Sequence, residues 1–378
     1  MKRLTQWLEH RWVNPAYVGW ILLGLALFFF AAATNTLAGW LYVISGVMLA
    51  LLLVAALLPP RNLQGLVVTR SVIQPVTAEV PLDIELRVRN SQRQSKGLFQ
   101  VIDCLPPRLG GLQTTAVGLL PGGQTYTWRY QVPTTRRGVY HWQTADLRTA
   151  APLGLFWCRR TTMAAATAVV YPQVLPLKRC PLLDTVGSRH GQHWRYSPQA
   201  KADTQGVTRS LRPYRWGDPT RLIHWRTSAR YGELRVRELE TMTASREIIV
   251  ALNTAARWDD ASFEQAVIAA ASLYTYALKQ GFAAALWLPR EQTLRDSSRV
   301  MYALAEVTMA ATSDRGGTLL QAPTLWLTTT GTQPITLPSG SRQLVWGGGD
   351  NPGVSSTIST LTINSTLPLE PQLQSNLP

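Results

Sequence analysis

Residues 211–240, LRPYRWGDPTRLIHWRTSARYGELRVRELE, hold the densest set of reactive side chains in this sequence. Arg212, Arg221, Arg226, Arg230 and Arg237 lie among Asp218, Glu233, Glu238 and Glu240, with Tyr214, His224 and Trp225 between them. Three chemistries fit such a set. The carboxylates and guanidinium groups could pair with one another in a structural network. An arginine face could instead bind an acidic partner, a phosphate or an anionic membrane, to which the planar guanidinium fork offers parallel donors. Clustered carboxylates also serve metal-dependent phosphoryl chemistry, which here would make Asp218 and Glu233 the centre of a nuclease-like hydrolase. That third use is the weakest. The Glu233-x-Arg235 step lacks the lysine such sites often employ, and Asp218 has a simpler role as a helix cap.

The elements that must position these groups are a short helix and a strand. Asp218 followed by Pro219 predicts a helix start, because an N-cap carboxylate accepts backbone N–H bonds and a proline at N1 has no N–H to waste. Gly232 predicts its stop. Between them Leu222, Trp225 and Ala229 share one helical face. Arg226 and Arg230 lie four apart on another face, where like charges repel, so that face calls for anionic partners. After Gly232, Leu234 and Val236 point one way and Glu233, Arg235 and Arg237 the other, the pattern of a half-buried strand.

Other chemistry is excluded or thin. There is no Gly-x-x-x-x-Gly-Lys-Ser/Thr loop for a nucleotide and no Gly-x-Ser-x-Gly nucleophile elbow. His190 and His193 stand three apart beside Arg189 and Arg195, without a cysteine or carboxylate at ligand spacing. Cys104, Cys158 and Cys180 are sparse and odd in number, which suits a reducing compartment. The sequence therefore predicts a protein that is not an enzyme and uses no cofactor or metal.

Residues 12–60 contain no charge across 49 positions. Two apolar stretches, 16–33 and 37–58, are 18 and 22 residues long and are divided by Thr34-Asn35-Thr36. Each is long enough to span a bilayer, and so short a connection makes them an antiparallel hairpin. Lys2, Arg3 and Arg11 precede the first stretch, Arg61 and Arg70 follow the second, and the connecting loop carries no charge. The positive-inside rule then puts both termini and the soluble part in the cytoplasm, on a bacterial inner membrane. Trp12, Tyr17, Trp20, Trp40 and Tyr42 suit interfacial belts. Lys2-Arg3 ahead of a run ending in Ala31-Ala32-Ala33 also fits a signal peptide, in which case the second stretch still anchors the chain. The net charge is +15, and 32 of the 37 basic residues are arginine. Such a body is drawn to anionic lipid or nucleic acid.

The rest divides by pattern. Residues 61–174 read as β, with alternations at 66–68, 82–88, 125–130 and 168–171 between turn clusters at 90–97, 106–111 and 121–123; this spacing implies an immunoglobulin-like sandwich. Arg136-Arg137-Gly138-Val139-Tyr140 reads as a turn into a strand, and Pro152–Phe156 as a loop with two buried anchors, Leu155 and Phe156. Residues 175–205 read as a polar connection and 206–246 as the helix and strand above. Residues 247–348 read as α/β, with strands at 248–252, 282–288, 324–328 and 343–346 and helices at 259–280 and 298–308, hence a parallel sheet. On the longer helix Phe263, Val267, Ala271, Tyr274 and Leu278 line one stripe. Residues 349–378 read as a disordered tail.

Two resemblances follow. Arg212, Tyr214, Gly217-Asp218-Pro219, Arg221, Ile223-His224-Trp225-Arg226, Ser228-Ala229-Arg230, Gly232-Glu233-Leu234 and Glu238 resemble the signature of the bacterial domain of unknown function fifty-eight family. The α/β part resembles a reduced von Willebrand factor A-like domain. The positions matching that fold's Asp-x-Ser-x-Ser metal motif are Asn253, Ala255 and Arg257, which lack its carboxylate and both hydroxyls. The sequence reads as a membrane-anchored cytoplasmic adaptor or scaffold, and the family resemblance implies that it works with a MoxR-type AAA ATPase in complex assembly or maturation. The alternative is a basic protein that binds anionic lipid or nucleic acid through its arginine-rich face.

Overall fold

The structure is a computed structural model. It describes residues 7, 9, 11–184, 197–216, 218, 220–245, 247–289, 293–309, 322–330, 337–347 and 359–375, and the backbone alone at 197–210, 221 and 238–245. The chain forms two compact units, Met1–Tyr171 and Pro172–Pro378.

The first unit opens with two helices, α1 (Tyr17–Thr36) and α2 (Gly39–Leu63), each long and apolar enough to cross a membrane. Small residues let them approach: Ala26 and Ala33 are buried, and Ser45 Oγ donates to the Ala26 carbonyl oxygen at 2.9 Å. Their outer faces are exposed leucine, valine and phenylalanine, and only 17% and 22% of their most apolar windows are buried. A core helix of a water-soluble domain would bury such a surface.

Seven longer strands follow: β1 (Leu66–Arg70), β2 (Leu82–Asn90), β3 (Lys96–Cys104), β4 (Leu112–Leu120), β5 (Thr125–Val132), β6 (Gly138–Thr149) and β7 (Phe156–Tyr171). One sheet has the order β1-β2-β5 and the other β7-β6-β3-β4, with two-residue strands at Asn14–Pro15 and Val76–Thr77 added to β7. The sheets share one core, to which Leu82, Ile84, Leu86 and Val88 contribute from one side and Phe99, Val101 and Leu147 from the other.

A buried ion pair joins the two sheets. Arg70 on β1 and Asp103 on β3 have side chains that are 1% and 0% exposed. Asp103 accepts from the Arg70 guanidinium, from the Tyr130 hydroxyl at 2.7 Å and from the Trp142 indole N–H at 3.2 Å. Burial, and then the charge of Asp103, pushes the Tyr130 hydroxyl well above its ordinary titration range.

The helices are tied to the sandwich at both ends. The Asn62 side chain, in the last turn of α2, donates to the Gly97 carbonyl at 2.7 Å and accepts from the Gly97 N–H at 3.3 Å. Ahead of α1, the Ala16 N–H donates to the Leu155 carbonyl at 2.8 Å. Leu155 and Phe156 pack against Leu22, Leu23, Leu52 and Ala55, so this loop anchors the helices rather than the sandwich core. Gly19 is required there, because a β-carbon would collide with the Leu155 carbonyl oxygen.

In the second unit a short helix, α3 (Pro181–Asp184), precedes a two-stranded antiparallel ribbon, β8 (Ser197–Pro213) and β9 (Arg235–Ser245). The ribbon begins inside the stretch expected to be a connection and encloses α4 (Trp225–Tyr231). The parallel sheet comprises β10 (Glu247–Leu252), β11 (Ala283–Trp287), β12 (Thr324–Thr329), β13 (Arg342–Trp346) and β14 (Ser359–Ile363), in the order β11-β10-β12-β13-β14. Helix α5 (Asp260–Lys279) is capped by Asp259, which accepts from the Ser262 N–H at 3.0 Å, and α6 (Ser297–Glu306) by Asp296. Phe263, Val267, Ala271 and Tyr274 are buried as the stripe predicts, whereas Leu278 at the end of α5 is exposed.

The expected disordered tail is corrected in part. β14 is the fifth strand of the sheet, and α7 (Leu369–Leu373) buries Leu369 and Leu373 in the same core as Leu361 and Ile363. Residues 349–358 and 376–378 lie outside the described residues.

One prediction follows from the buried pair. Asp103→Ala leaves the Arg70 guanidinium buried without its counter-charge and should destabilise the first unit by about 3–5 kcal/mol. Chemical denaturation in detergent, read through tryptophan fluorescence, would report this as a lower midpoint.

Candidate functional site

The arginine-rich segment is the tip of the β8–β9 ribbon. The ribbon's register sets Pro213 opposite Arg235, Arg212 opposite Val236 and Leu211 opposite Arg237. Ile223 forms an isolated bridge to Val236, and the His224 N–H donates to the Arg235 carbonyl at 2.8 Å. The chain is therefore extended at 223–224, which overrides the helix start expected at Asp218-Pro219. Thr220–Leu222 makes a single 3-10 turn, and α4 begins only at Trp225.

His224 is the N-cap of α4, with its Nδ1 accepting from the Thr227 N–H at 3.2 Å. Gly232 ends the helix as expected, in the left-handed conformation at φ 71°, with its N–H on the Ser228 carbonyl. The buried side of this turn of chain is also not the expected one. Ile223, Ser228 and Val236 are buried, while Trp225 and Ala229 are exposed and Leu222 is half-buried. Ser228 closes the helix onto β9, since its Oγ donates to the His224 carbonyl at 3.1 Å and accepts from the Arg235 N–H at 2.9 Å.

Asp218 has a different job from capping. Its carboxylate takes a bidentate pair from Arg212, at 2.7 Å to each oxygen, and also accepts from the Arg215 N–H at 2.8 Å. The Arg212 hydrogen bonds, and then the Arg215 N–H, hold the Asp218 carboxyl below the usual carboxylate range. With both oxygens engaged, Asp218 is a loop clamp and a poor start for a metal site. Among the described residues no three His, Cys, Asp or Glu side chains converge as a metal would require.

The clamp leaves a distinctive surface. Trp216 is fully exposed, Trp225 is 67% exposed, Tyr231 60% and Leu234 46%. Arg226 and Arg230 are exposed on α4, as are Arg215, Glu233 and Arg237 beside it. Arg226 and Arg230 make no ion pair with the described residues. Arg235 stacks on the Tyr231 ring, 4.4 Å from its centroid. Tyr214 is half-buried, and its N–H donates to the Leu234 carbonyl at 2.8 Å. Of the residues singled out by sequence, the structure thus gathers Arg212, Tyr214, Asp218, His224, Trp225, Arg226, Arg230 and Glu233 at one tip. The Arg221 and Glu238 side chains, and His190 and His193, lie outside the described residues. Trp216, Tyr231 and Ser228 were not marked as site residues by the sequence. Two further aromatics, Trp216 and Tyr231, within one arginine-rich run were the available signal.

Asn253, Ala255 and Arg257 follow the carboxyl end of β10. Asn253 donates to Thr328 Oγ1 at 3.3 Å and accepts from the Ala255 N–H at 3.2 Å, while Arg257 is exposed. The Asn253 side chain thus closes a local turn.

The tip and the first half of the parallel-sheet domain coincide with a family match. Residues 210–314 match the family model described as "Protein of unknown function DUF58". Over those residues the chain is similar to that family, whose description names no activity. No curated protein matches the chain. Among solved structures, a CARDB domain from Pyrococcus furiosus is 14% identical over 27% of this chain and 86% of its own, with a TM-score of 0.20. The bacterial hydrophobin BslA is 14% identical over 30% of this chain and 98% of its own, also at 0.20. An exo beta-N-acetylglucosaminidase from Vibrio harveyi is 8% identical over 58% of this chain and 29% of its own, at 0.18. Overlaps this loose assign no activity.

The Asp218 clamp has a pH signature. A carboxyl whose folded value is depressed stabilises the closed tip above its unfolded value of about 3.9, and that contribution is lost as the pH falls through the depressed value. Protection of the Arg215 amide against hydrogen exchange, corrected for intrinsic rate, should hold near neutrality and fall away below about pH 4. Asp218→Asn should lower that protection at neutral pH and flatten its pH dependence.

Proposed function

We propose that this protein is a non-enzymatic adaptor, anchored on the inner face of a bacterial plasma membrane, that captures a partner through the ribbon tip. The carrying observation is the exposed set Trp216, Trp225 and Tyr231 beside Arg226 and Arg230, on a loop clamped by Arg212 and Asp218. Tryptophan, tyrosine and arginine dominate the energetics of protein interfaces. A clamped loop loses little further entropy on docking. The expected partner surface is acidic, with apolar pockets for the two indoles.

Anchoring is supported by the outward apolar faces of α1 and α2, and cytoplasmic placement by Arg11, Arg61 and Arg70 flanking them. The resemblance to the domain of unknown function fifty-eight family supports a MoxR-type AAA ATPase as the partner. In that arrangement the partner supplies ATP hydrolysis and this chain recruits it for assembly or maturation of a client complex. We also assign the finer folds as an immunoglobulin-like sandwich and a reduced von Willebrand factor A-like domain. The parallel order β11-β10-β12-β13-β14 is consistent with the second assignment.

The test is co-purification of the full chain from its native membrane with mass spectrometry. Trp216→Ala and Trp225→Ala should each weaken capture of the ATPase by about 2 kcal/mol or more, as central interface aromatics do. Both should leave stability within about 0.5 kcal/mol, since the side chains are exposed. Unchanged capture in both variants would overturn the reading. Recovery of lipid or nucleic acid alone, released steeply by salt, would favour electrostatic binding by the same arginines.

A further inference from the structure

A groove of about 350 Å³ lies in the sandwich beside the helix base. Its walls include Leu98, Ala116, Pro152 and Trp157, and Arg148 lies among them. The volume falls in the range of small-molecule sites, about 300–1,000 Å³. Leu98 is the anomaly. Its backbone is left-handed at φ 49°, a conformation that branched aliphatic side chains avoid, and its side chain is 68% exposed. Thr149 Oγ1 donates to the Leu98 carbonyl at 2.8 Å and holds the distortion. Strain that points a leucine outward is explained if something apolar covers it.

The neighbourhood says what that is. Leu98 follows Gly97, whose N–H and carbonyl both bond Asn62. Asn62 stands four residues past the apolar stretch that ends at Leu58, about 6 Å along a helix axis. The loop that closes the groove, through Pro152 and Gly154, continues into Leu155, which bonds Ala16 ahead of α1. The groove therefore adjoins the two points at which the apolar helices are attached to the sandwich. Its polar end carries Arg148, stacked 4.0 Å over the Trp157 ring and hydrogen-bonded to Glu9 at 2.6 Å. Arg159 lies 3.7 Å from the same carboxylate and 3.6 Å from that of Asp146, and Arg160 donates to the Glu9 carbonyl, so three guanidinium groups meet two carboxylates.

We propose that this groove binds one glycerophospholipid of the adjoining leaflet, with an acyl chain along Leu98 and Ala116 and the phosphate toward Arg148. The inference rests on the membrane-anchor reading above. Occupied, the groove fixes the sandwich against the bilayer.

The test uses the full chain in vesicles of phosphatidylcholine and phosphatidylglycerol, the latter bearing a photoreactive diazirine in one acyl chain. Adducts are mapped by mass spectrometry. Adducts on α1 and α2 report insertion, and adducts on residues 97–101 and 116–118 report the groove. Both sets are expected in the wild type. A β-carbon at Gly118 meets nothing within 4 Å, so Gly118→Phe starts from open space and should occupy the groove. It should lose the groove adducts and keep the helix adducts. Leu98→Asn should do the same while keeping or raising thermal stability, because asparagine tolerates the left-handed conformation. Helix adducts without groove adducts in the wild type would overturn the groove alone. Groove adducts that survive both variants would also overturn it, as incidental surface labelling. Adducts on neither would remove the anchor reading and the groove with it.

Discussion

Both oxygens of Asp218 are held by the Arg212 guanidinium, and the form of the tip follows from that pairing. Arg212 is fixed on β8 opposite Val236, so the clamp ties a loop residue to the ribbon itself. With the carboxylate taken, Asp218 cannot start a helix, and the chain instead runs extended through Ile223 and His224 against β9. The helix that follows is short and capped by a histidine. Its remaining arginines and aromatics have no buried side to turn toward. A charged pair inside the loop thus makes possible an apolar and cationic surface outside it.

A second constraint acts at the other end of the chain. The outward faces of α1 and α2 carry large apolar side chains that water would penalise by roughly 25 cal/mol per Å². The sandwich grips this pair at the Asn62–Gly97 and Ala16–Leu155 contacts. Inside the sandwich, the Arg70–Asp103 pair, with Tyr130 and Trp142, closes the two sheets on each other, so the helix-bearing sheet cannot slide against its partner.

The sequence made some of this legible and hid the rest for identifiable reasons. Forty-nine uncharged positions announce the helix pair, and runs such as 248–252 announce the parallel sheet. Gly232 was legible as a stop because a left-handed C-cap favours glycine. β3 and β4 were not read as strands, because their pattern is inverted in places: Lys96 and Asp103 are buried while Leu98, Leu112 and Leu119 are exposed. β14 was hidden in a Ser/Thr-rich tail, where only Leu361 and Ile363 mark its inner face. At the ribbon tip, the sequence names most of the residues that gather there but not the pairing of Arg212 with Asp218. Register placed Arg212 beside Asp218, and local helix propensity carries no information about register.

The central claim is that the ribbon tip is a docking surface for a protein partner. It is tested most directly by placing a photo-crosslinking amino acid at position 226 of the full chain in its native membrane. The account predicts a crosslink to an AAA ATPase subunit, absent when the photoreactive residue is moved to the exposed position of Leu112 in the first unit. Crosslinks confined to this chain itself, or to lipid or nucleic acid, would contradict it.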